Sequence, residues 1–117
     1  MTTLSGDMVE EFRQRLREAR AELFRTVART DEELATLEAH QPGAPGEDAG
    51  TELVTAVLSR LEGREKHELD EIETAQARLE AGAFGACEVC GQPIPLTRLR
   101  ALPTTRHCVR CQLKQEK

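Results

Sequence analysis

Residues 84–112 read FGACEVCGQPIPLTRLRALPTTRHCVRCQ. The four cysteines of this stretch form two pairs, Cys87-x₂-Cys90 and Cys108-x₂-Cys111, separated by seventeen residues. Two residues between cysteines allow a tight turn to point both sulfurs at one ion, and two such turns complete a tetrahedron. The spacing therefore predicts one structural zinc ion, bound by these four side chains.

Other uses of these residues fit the pattern less well. A redox CxxC motif belongs to a βαβ setting, which this sequence lacks, and the spacing differs from the ferredoxin patterns of iron–sulfur proteins. His107 adjoins Cys108, but four thiolates already fill a tetrahedral shell, so we expect an exposed loop histidine. His40 and His67 have no ligand spacing, and we expect both to be solvated. Gly91, which follows the first pair, is expected to take a positive φ.

Towards the N-terminus, an apolar stripe runs through residues 9–37 with spacings of three and four, which is typical of one face of a long helix. The segment Thr30-Asp31-Glu32-Glu33 resembles a capping box that starts a new helix. Because the stripe passes through this segment, we expect a continuous helix. The stripe consists of Val9, Phe12, Leu16, Ala19, Leu23, Val27, Thr30, Leu34 and Leu37.

Residues 41–50 contain two prolines and three glycines and predict a turn. A second stripe follows, in which Gly63 marks a possible bend and Gly82 suits the position just after a helix. Two stripes joined by a turn predict an all-α fold: a long antiparallel coiled-coil hairpin over residues 1–83 and a small four-cysteine finger with a C-terminal helix over 84–117. The second stripe consists of Val54, Leu58, Leu61, Glu65, Leu69, Ile72, Gln76 and Leu79.

Composition limits the size of the core. The 117 residues include no Trp, no Tyr and three Phe, so narrow helical seams and a metal staple are the expected sources of stability. Residues 84–117 carry a net charge of +4 and residues 1–83 a net charge of −9. The sequence contains no apolar run long enough to cross a membrane and does not begin with a secretory signal, so we expect a cytoplasmic protein in which thiols stay reduced.

The finger resembles the DksA/TraR zinc-finger family, whose members read roughly F/Y-G-x-C-x-x-C-G-x-x-I-x-x-x-R-L-x-A-x-P before the second cysteine pair. Besides the cysteines, Ile94, Arg98, Leu99, Ala101 and Pro103 fall in place. The larger members of that family also carry an N-terminal helical hairpin. The resemblance implies a regulator that binds bacterial RNA polymerase and inserts its hairpin into the secondary channel.

The resemblance also directs attention to the hairpin tip. The best-studied members carry D-x-x-D-x-A there, and counting back from the first cysteine places Ala44, Glu47 and Ala49 at those positions. The first acid is absent, and Asp48 supplies some of the missing charge. The resemblance implies a role in partner binding for Glu47, Asp48 and Ala49.

Members that respond to guanosine tetraphosphate hold it with basic side chains near the hairpin base and the finger. The matching positions here are Glu71, Leu102 and Gln112, none of them basic. Several phosphates would lose their charge-assisted hydrogen bonds at such a site, so no response to this nucleotide is expected.

Other functions remain open on the sequence alone. The finger could bind nucleic acid through Arg98, Arg100, Arg106 and Arg110, although direct DNA binding is not the expected role. A coiled-coil scaffold is a further alternative, as is a homodimeric coiled coil in place of the expected monomer. The sequence shows no phosphate-binding loop and no nucleophile beside a base, so we do not expect an enzyme.

Overall fold

The computed structural model describes residues 4–40 and 48–115, and for residues 48–51 the backbone alone. Six helices follow one another in these ranges: α1 (Gly6–Val27), α2 (Asp31–Ala39), α3 (Asp48–Leu58), α4 (Arg64–Glu80), α5 (Leu96–Ala101) and α6 (Val109–Gln115). The described residues contain no strand, and one isolated bridge pairs Ala86 with Pro93. The predicted all-α class, a helical hairpin followed by a four-cysteine finger, is confirmed.

The chain packs as two compact units. One is contiguous, Glu18–Asp70, and contains the end of α1, helices α2 and α3, and the start of α4. In this unit α2 packs on α3. Its buried apolar side chains are Leu23, Phe24, Val27, Leu37, Val54, Val57, Leu61 and Leu69.

The other unit combines Met1–Arg17 with Glu71–Lys117, so the finger packs together with the start of α1 and most of α4. The domain boundary that the sequence predicts between residues 83 and 84 stays a prediction. The buried apolar side chains of this unit are Phe12, Leu16, Ile72, Ala75, Leu79, Phe84, Cys87, Ile94, Leu99 and Cys111.

The first arm of the hairpin is interrupted, and the prediction of a continuous helix is wrong. Helix α1 ends at Val27, and α2 starts at Asp31. Thr30 takes an extended conformation, and its hydroxyl accepts a hydrogen bond from the backbone N–H of Glu33 at 3.1 Å. The apolar spacing continues across this break because only three residues separate the two helices. The extended, capping conformation of Thr30 nevertheless prevents one continuous helix.

The second arm is interrupted as well, at residues 59–63. Gly63 has a φ of 49°, in the left-handed region, which agrees with the bend predicted there. In the last turn of α3, just before this interruption, the most buried side chain is not the one predicted. Val57 is fully buried, whereas Leu58, the residue predicted for the seam, is half-buried.

Helix α4 ends as the sequence predicted. Gly82 has a φ of 75°, and its N–H donates to the carbonyl of Leu79 at 3.2 Å. The N–H of Ala83 donates to the carbonyl of Arg78 at 2.9 Å. These two bonds form a Schellman motif, which satisfies the last carbonyls of the helix and turns the chain towards the finger.

Within the described ranges, no helix is both long and apolar enough to span a membrane. The predicted tip, about residues 41–50, lies mostly outside the described residues, and its last three residues open α3.

We expect Phe12→Ala to lower the free energy of unfolding by about 3–5 kcal/mol, because the ring is fully buried and its loss leaves a cavity. The measurement is denaturant unfolding followed by circular dichroism. Arg17→Ala, on the exposed side of the same helix, is the control and is expected to change stability by at most about 0.5 kcal/mol. Equal effects of the two changes would show that Phe12 does not belong to the core.

Candidate metal centre

The four cysteines of the finger converge on one point. The Sγ atoms of Cys87, Cys90, Cys108 and Cys111 all lie within 4.8 Å of one another. The Sγ atoms of Cys90 and Cys108 are 3.8 Å apart. A zinc ion bonded to four sulfurs at about 2.3 Å sets them about 3.8 Å apart, so the cluster has the size of a zinc tetrahedron.

A tight turn presents the first cysteine pair. The N–H of Cys87 donates to the carbonyl of Gln92, and the N–H of Gly91 donates back to the carbonyl of Cys87, both at 2.9 Å. Gly91 has a φ of 76°, as predicted, and this conformation lets the chain fold back around the sulfur of Cys90.

The second pair stands at the start of α6. The N–H of Gln112 donates to the carbonyl of Cys108 at 2.9 Å, which places Cys108 just before the helix and Cys111 in its first turn. The N–H of Glu88 donates to the carbonyl of Arg106, also at 2.9 Å, and joins the turn of the first pair to the segment that leads into the second.

The electrostatics of the cluster favour a cation. Burial works to raise the pKa of Cys87, but the backbone N–H groups of Cys90, Cys108 and Val89 outweigh it and lower that pKa to about 6. The N–H of Cys111 lowers the pKa of Cys108. Burial, followed by the neighbouring cysteines, raises the pKa of Cys111 to about 12. A divalent ion at the centre would remove this conflict, because a metal-bound thiol loses its proton.

The donor set therefore fits zinc. Four sulfur ligands leave no open coordination position, which is the arrangement of a structural site. The cysteine cluster does not include His107. A ring nitrogen of His107 lies 3.4 Å from the side-chain nitrogen of Gln115. The backbone carbonyl of His107 accepts hydrogen bonds from the side chains of Arg98 and Thr105.

The finger is fastened to the helices by an aromatic contact and by arginines. The rings of Phe12 and Phe84 lie 5.1 Å apart at an angle of 43°. Arg100 pairs with Glu11 of α1 at 3.1 Å, and its hydrogen bond lowers the pKa of that carboxyl group. Arg106 pairs with Glu71 of α4 at 3.1 Å.

Three of the four arginines considered for nucleic-acid binding therefore make contacts within the chain. Arg98 donates to the carbonyl of His107 at 3.1 Å, while Arg100 and Arg106 form the ion pairs with the helices. Arg110 lies on the exposed side of α6. This arrangement gives the arginines a role in holding the finger in place.

Sequence reasoning missed the role of Arg78 at the end of α4. Its guanidinium donates to the carbonyl oxygens of Ala83 and Ala86, at 3.0 and 2.6 Å, and so supports the segment that leads into Cys87. A basic residue in the last helical turn before a C′ glycine is the signal that points to it.

The structure says less about the predicted tip and alarmone positions. Ala44 and Glu47 lie outside the described residues, and Asp48 and Ala49 are described only as backbone in the first turn of α3. Of the alarmone positions, Glu71 pairs with Arg106, Leu102 is 51% exposed and Gln112 is half-buried in α6.

Comparison with known proteins relates the chain to one family. Residues 82–117 match the family described as the prokaryotic dksA/traR C4-type zinc finger. A Caulobacter vibrioides protein named RNA polymerase-binding transcription factor DksA is 31% identical over 114 residues, which covers 97% of this chain and 80% of that protein. The protein of the same name from Escherichia coli K12 is 31% identical over 109 residues, covering 93% of this chain and 67% of that protein.

Solved structures show the same relation. The structure of transcription factor DksA2 from Pseudomonas aeruginosa matches with a TM-score of 0.64 and 31% identity, covering 96% of this chain and 85% of that one. The RNA polymerase-binding protein and transcriptional regulator Dks from Chlamydia trachomatis matches with a TM-score of 0.63 and 25% identity, covering 97% and 93%.

We expect Cys108→Ser to lose bound zinc and to unfold the finger while most of the helical signal of the hairpin remains, because metal binding supplies much of the folding energy of such a module. Zinc is measured by elemental analysis, and helicity by circular dichroism. Val89→Ser, at a side chain that is 60% exposed between Cys87 and Cys90, is the control and should retain zinc. One tightly held zinc per chain in the Cys108→Ser variant would refute the ligand assignment.

Proposed function

This chain belongs to the DksA/TraR family of prokaryotic zinc-finger proteins, and we propose on that basis that it binds RNA polymerase directly and regulates transcription. One observation carries the proposal. Relatives named as RNA polymerase-binding transcription factors match the hairpin and the finger together, over 97% of this chain in the Caulobacter vibrioides protein. A shared finger alone would support only a shared metal site.

The proposed role of the metal is structural. One zinc ion, bound by Cys87, Cys90, Cys108 and Cys111, would hold the two cysteine turns together and so fix the segment between them. That segment carries Arg100 and Arg106, which reach Glu11 and Glu71 on the helices. The ion would thus keep the finger fastened to the hairpin, and no reaction is assigned to it.

The proposed role of the hairpin is to enter the secondary channel of the polymerase. Residues 1–83 carry a net charge of −9, which makes them a poor ligand for a nucleic-acid backbone but leaves carboxylates to present to other groups. Glu47, Asp48 and Ala49 at the tip are proposed to act near the catalytic centre, where carboxylates can influence bound magnesium electrostatically without any chemistry of their own. The proposed location is the cytoplasm, and the proposed state is a monomer.

The alternative of a nucleic-acid-binding finger has less support. Arg98, Arg100 and Arg106 are already hydrogen-bonded within the chain, so binding phosphate would require them to leave these partners. The direct test is pull-down of purified core polymerase by the zinc-loaded protein, with a DNA duplex as the competing ligand. Capture of the duplex with a steep linear fall of log affinity against log salt, and no capture of polymerase, would favour the alternative.

The first functional prediction separates binding from activity. Glu47→Gln combined with Asp48→Asn removes two charges at nearly constant size. We expect the affinity for polymerase to change by less than about 1 kcal/mol, as for charges at the rim of an interface, while the effect on transcription largely disappears. Both are measured on one preparation, by equilibrium binding and by transcription in vitro.

The matched control for the tip variant is Glu65→Gln with Glu68→Gln, which removes two exposed charges from the side of α4. This variant should keep its effect on transcription. If the tip variant loses affinity instead, while the bound fraction stays fully active, the tip is an anchor and the assigned roles are reversed.

The second functional prediction concerns guanosine tetraphosphate. We expect no enhancement of this protein's effect, because Glu71 and its partner Arg106 already neutralise each other and Leu102 and Gln112 bring no positive charge. The measurement is transcription in vitro with and without the nucleotide, using a polymerase that lacks any other site for it. A several-fold enhancement that requires this protein would disprove the prediction.

A further inference from the structure

Both arms of the hairpin are interrupted, and the interruptions face each other. The first arm leaves the helix at residues 28–30 and the second at residues 59–63, all within the unit Glu18–Asp70. Arg60, in the second interruption, donates to the carbonyl of Val27, where α1 ends, at 3.2 Å. One side chain therefore spans from one interruption to the other.

The guanidinium group of Arg60 also contacts the start of α2. Its two terminal nitrogens donate to the two carboxylate oxygens of Glu33 at 2.7 and 2.9 Å. The Arg60 and Glu33 side chains are 26% and 16% exposed. A bidentate pair of a guanidinium with a carboxylate is stronger and more directional than an ordinary surface ion pair, which contributes little to stability.

Glu33 also holds its own interruption together. Its carboxylate accepts a hydrogen bond from the backbone N–H of Arg29 at 2.8 Å, while its backbone N–H donates to the hydroxyl of Thr30. Arg60, and then the N–H of Arg29, lower the pKa of Glu33 to about 2. The stabilisation from this carboxylate is therefore complete above its ordinary pKa of 4.5 and lost only as the pH falls towards 2.

The facing positions of the interruptions have a mechanical consequence. Where only one arm of a helical pair is interrupted, the continuous helix beside it supports the interrupted arm. Here neither arm is helical at this level, and the series of helical backbone hydrogen bonds is incomplete in both. The N–H groups of Ala28 and Ser59 still donate four residues back, whereas those of Arg60 and Leu61 donate three residues back. Beside the buried side chains of Val27 and Leu61, Arg60 links the two interruptions through its contacts with Glu33 and the carbonyl of Val27, which we call the latch.

We propose that residues 28–30 and 59–63 form a joint in the hairpin, closed by the latch, at which the chain opens locally while the helices on both sides stay folded. The gaps are short and α2 and α3 pack on each other, so the segment beyond the joint keeps its own structure. Because the pKa of Glu33 lies far below neutral pH, the latch stays charged in the physiological range and yields to competing ions or partners rather than to protons.

Hydrogen–deuterium exchange of the zinc-loaded chain, read by mass spectrometry, tests the joint. In Glu33→Gln and in Arg60→Gln, amides in peptides covering residues 27–34 and 58–65 should exchange about tenfold faster, as expected when hydrogen bonds to a charged group are lost. Exchange in peptides covering residues 9–24 and 69–80 should stay unchanged. The effect of the double variant should be smaller than the two single effects combined, because both changes remove the shared pair of Arg60 with Glu33.

Matched controls remove the same charges without touching the latch. Glu32→Gln lies in the same first turn of α2, and Arg64→Gln lies in the first turn of α4, both at exposed positions. Both should exchange like the unaltered protein. The proposal is overturned if the latch variants raise exchange equally in every helix, if they leave residues 27–34 and 58–65 unchanged, or if their effects add in the double variant.

Discussion

The unit that contains the finger is organised around one contact, between the rings of Phe12 and Phe84. This contact brings the start of α1 against the first residue of the finger, with the ring centroids 5.1 Å apart. In a chain with three Phe and no Trp or Tyr, this pair is a large share of the aromatic surface available for burial. Arginine contacts surround it, with Arg13 reaching Glu80 and Arg100 reaching Glu11, so that α1, α4 and the finger hold one another.

The same scarcity of large apolar groups shapes the hairpin. Its seam is narrow, with on average no more than about one buried side chain per turn, and it leaves room for polar groups to take part in packing. Glu33 and Arg60 take part in packing where the helices are interrupted. Arg78 takes part where the chain leaves α4 and enters the finger. In each case a charged side chain hydrogen-bonds backbone groups at or just beyond a helix end. The aromatic pair and the charged side chains each add contacts that the narrow seam does not supply.

The sequence predicted the cysteine cluster well because the chemistry is local: each pair is a tight turn, and a tetrahedral ion needs two. The end of α4 was equally predictable from Gly82. The break at Thr30 was missed because the helical spacing carries past three residues and hides the capping signal. The pairing of Arg100 with Glu11 was beyond reach, since the partners are separated by 89 residues and any exposed acid was an equal candidate. The tip roles rest on resemblance, and the described residues do not test them.

From the division into a contiguous unit and a split one we expect an order of assembly during synthesis. Residues 18–70 form one unit from a single continuous stretch of chain, so all of it is synthesised before residue 71. The other unit closes only when residues 71–115 return to residues 4–17, a long loop whose closure costs chain entropy. On a chain growing from the ribosome, we therefore expect Phe12 and Leu16 to stay exposed until residues 71–115 are synthesised. During that stage the newborn protein would present an apolar face to chaperones and to aggregation, and folding of the finger would cover it.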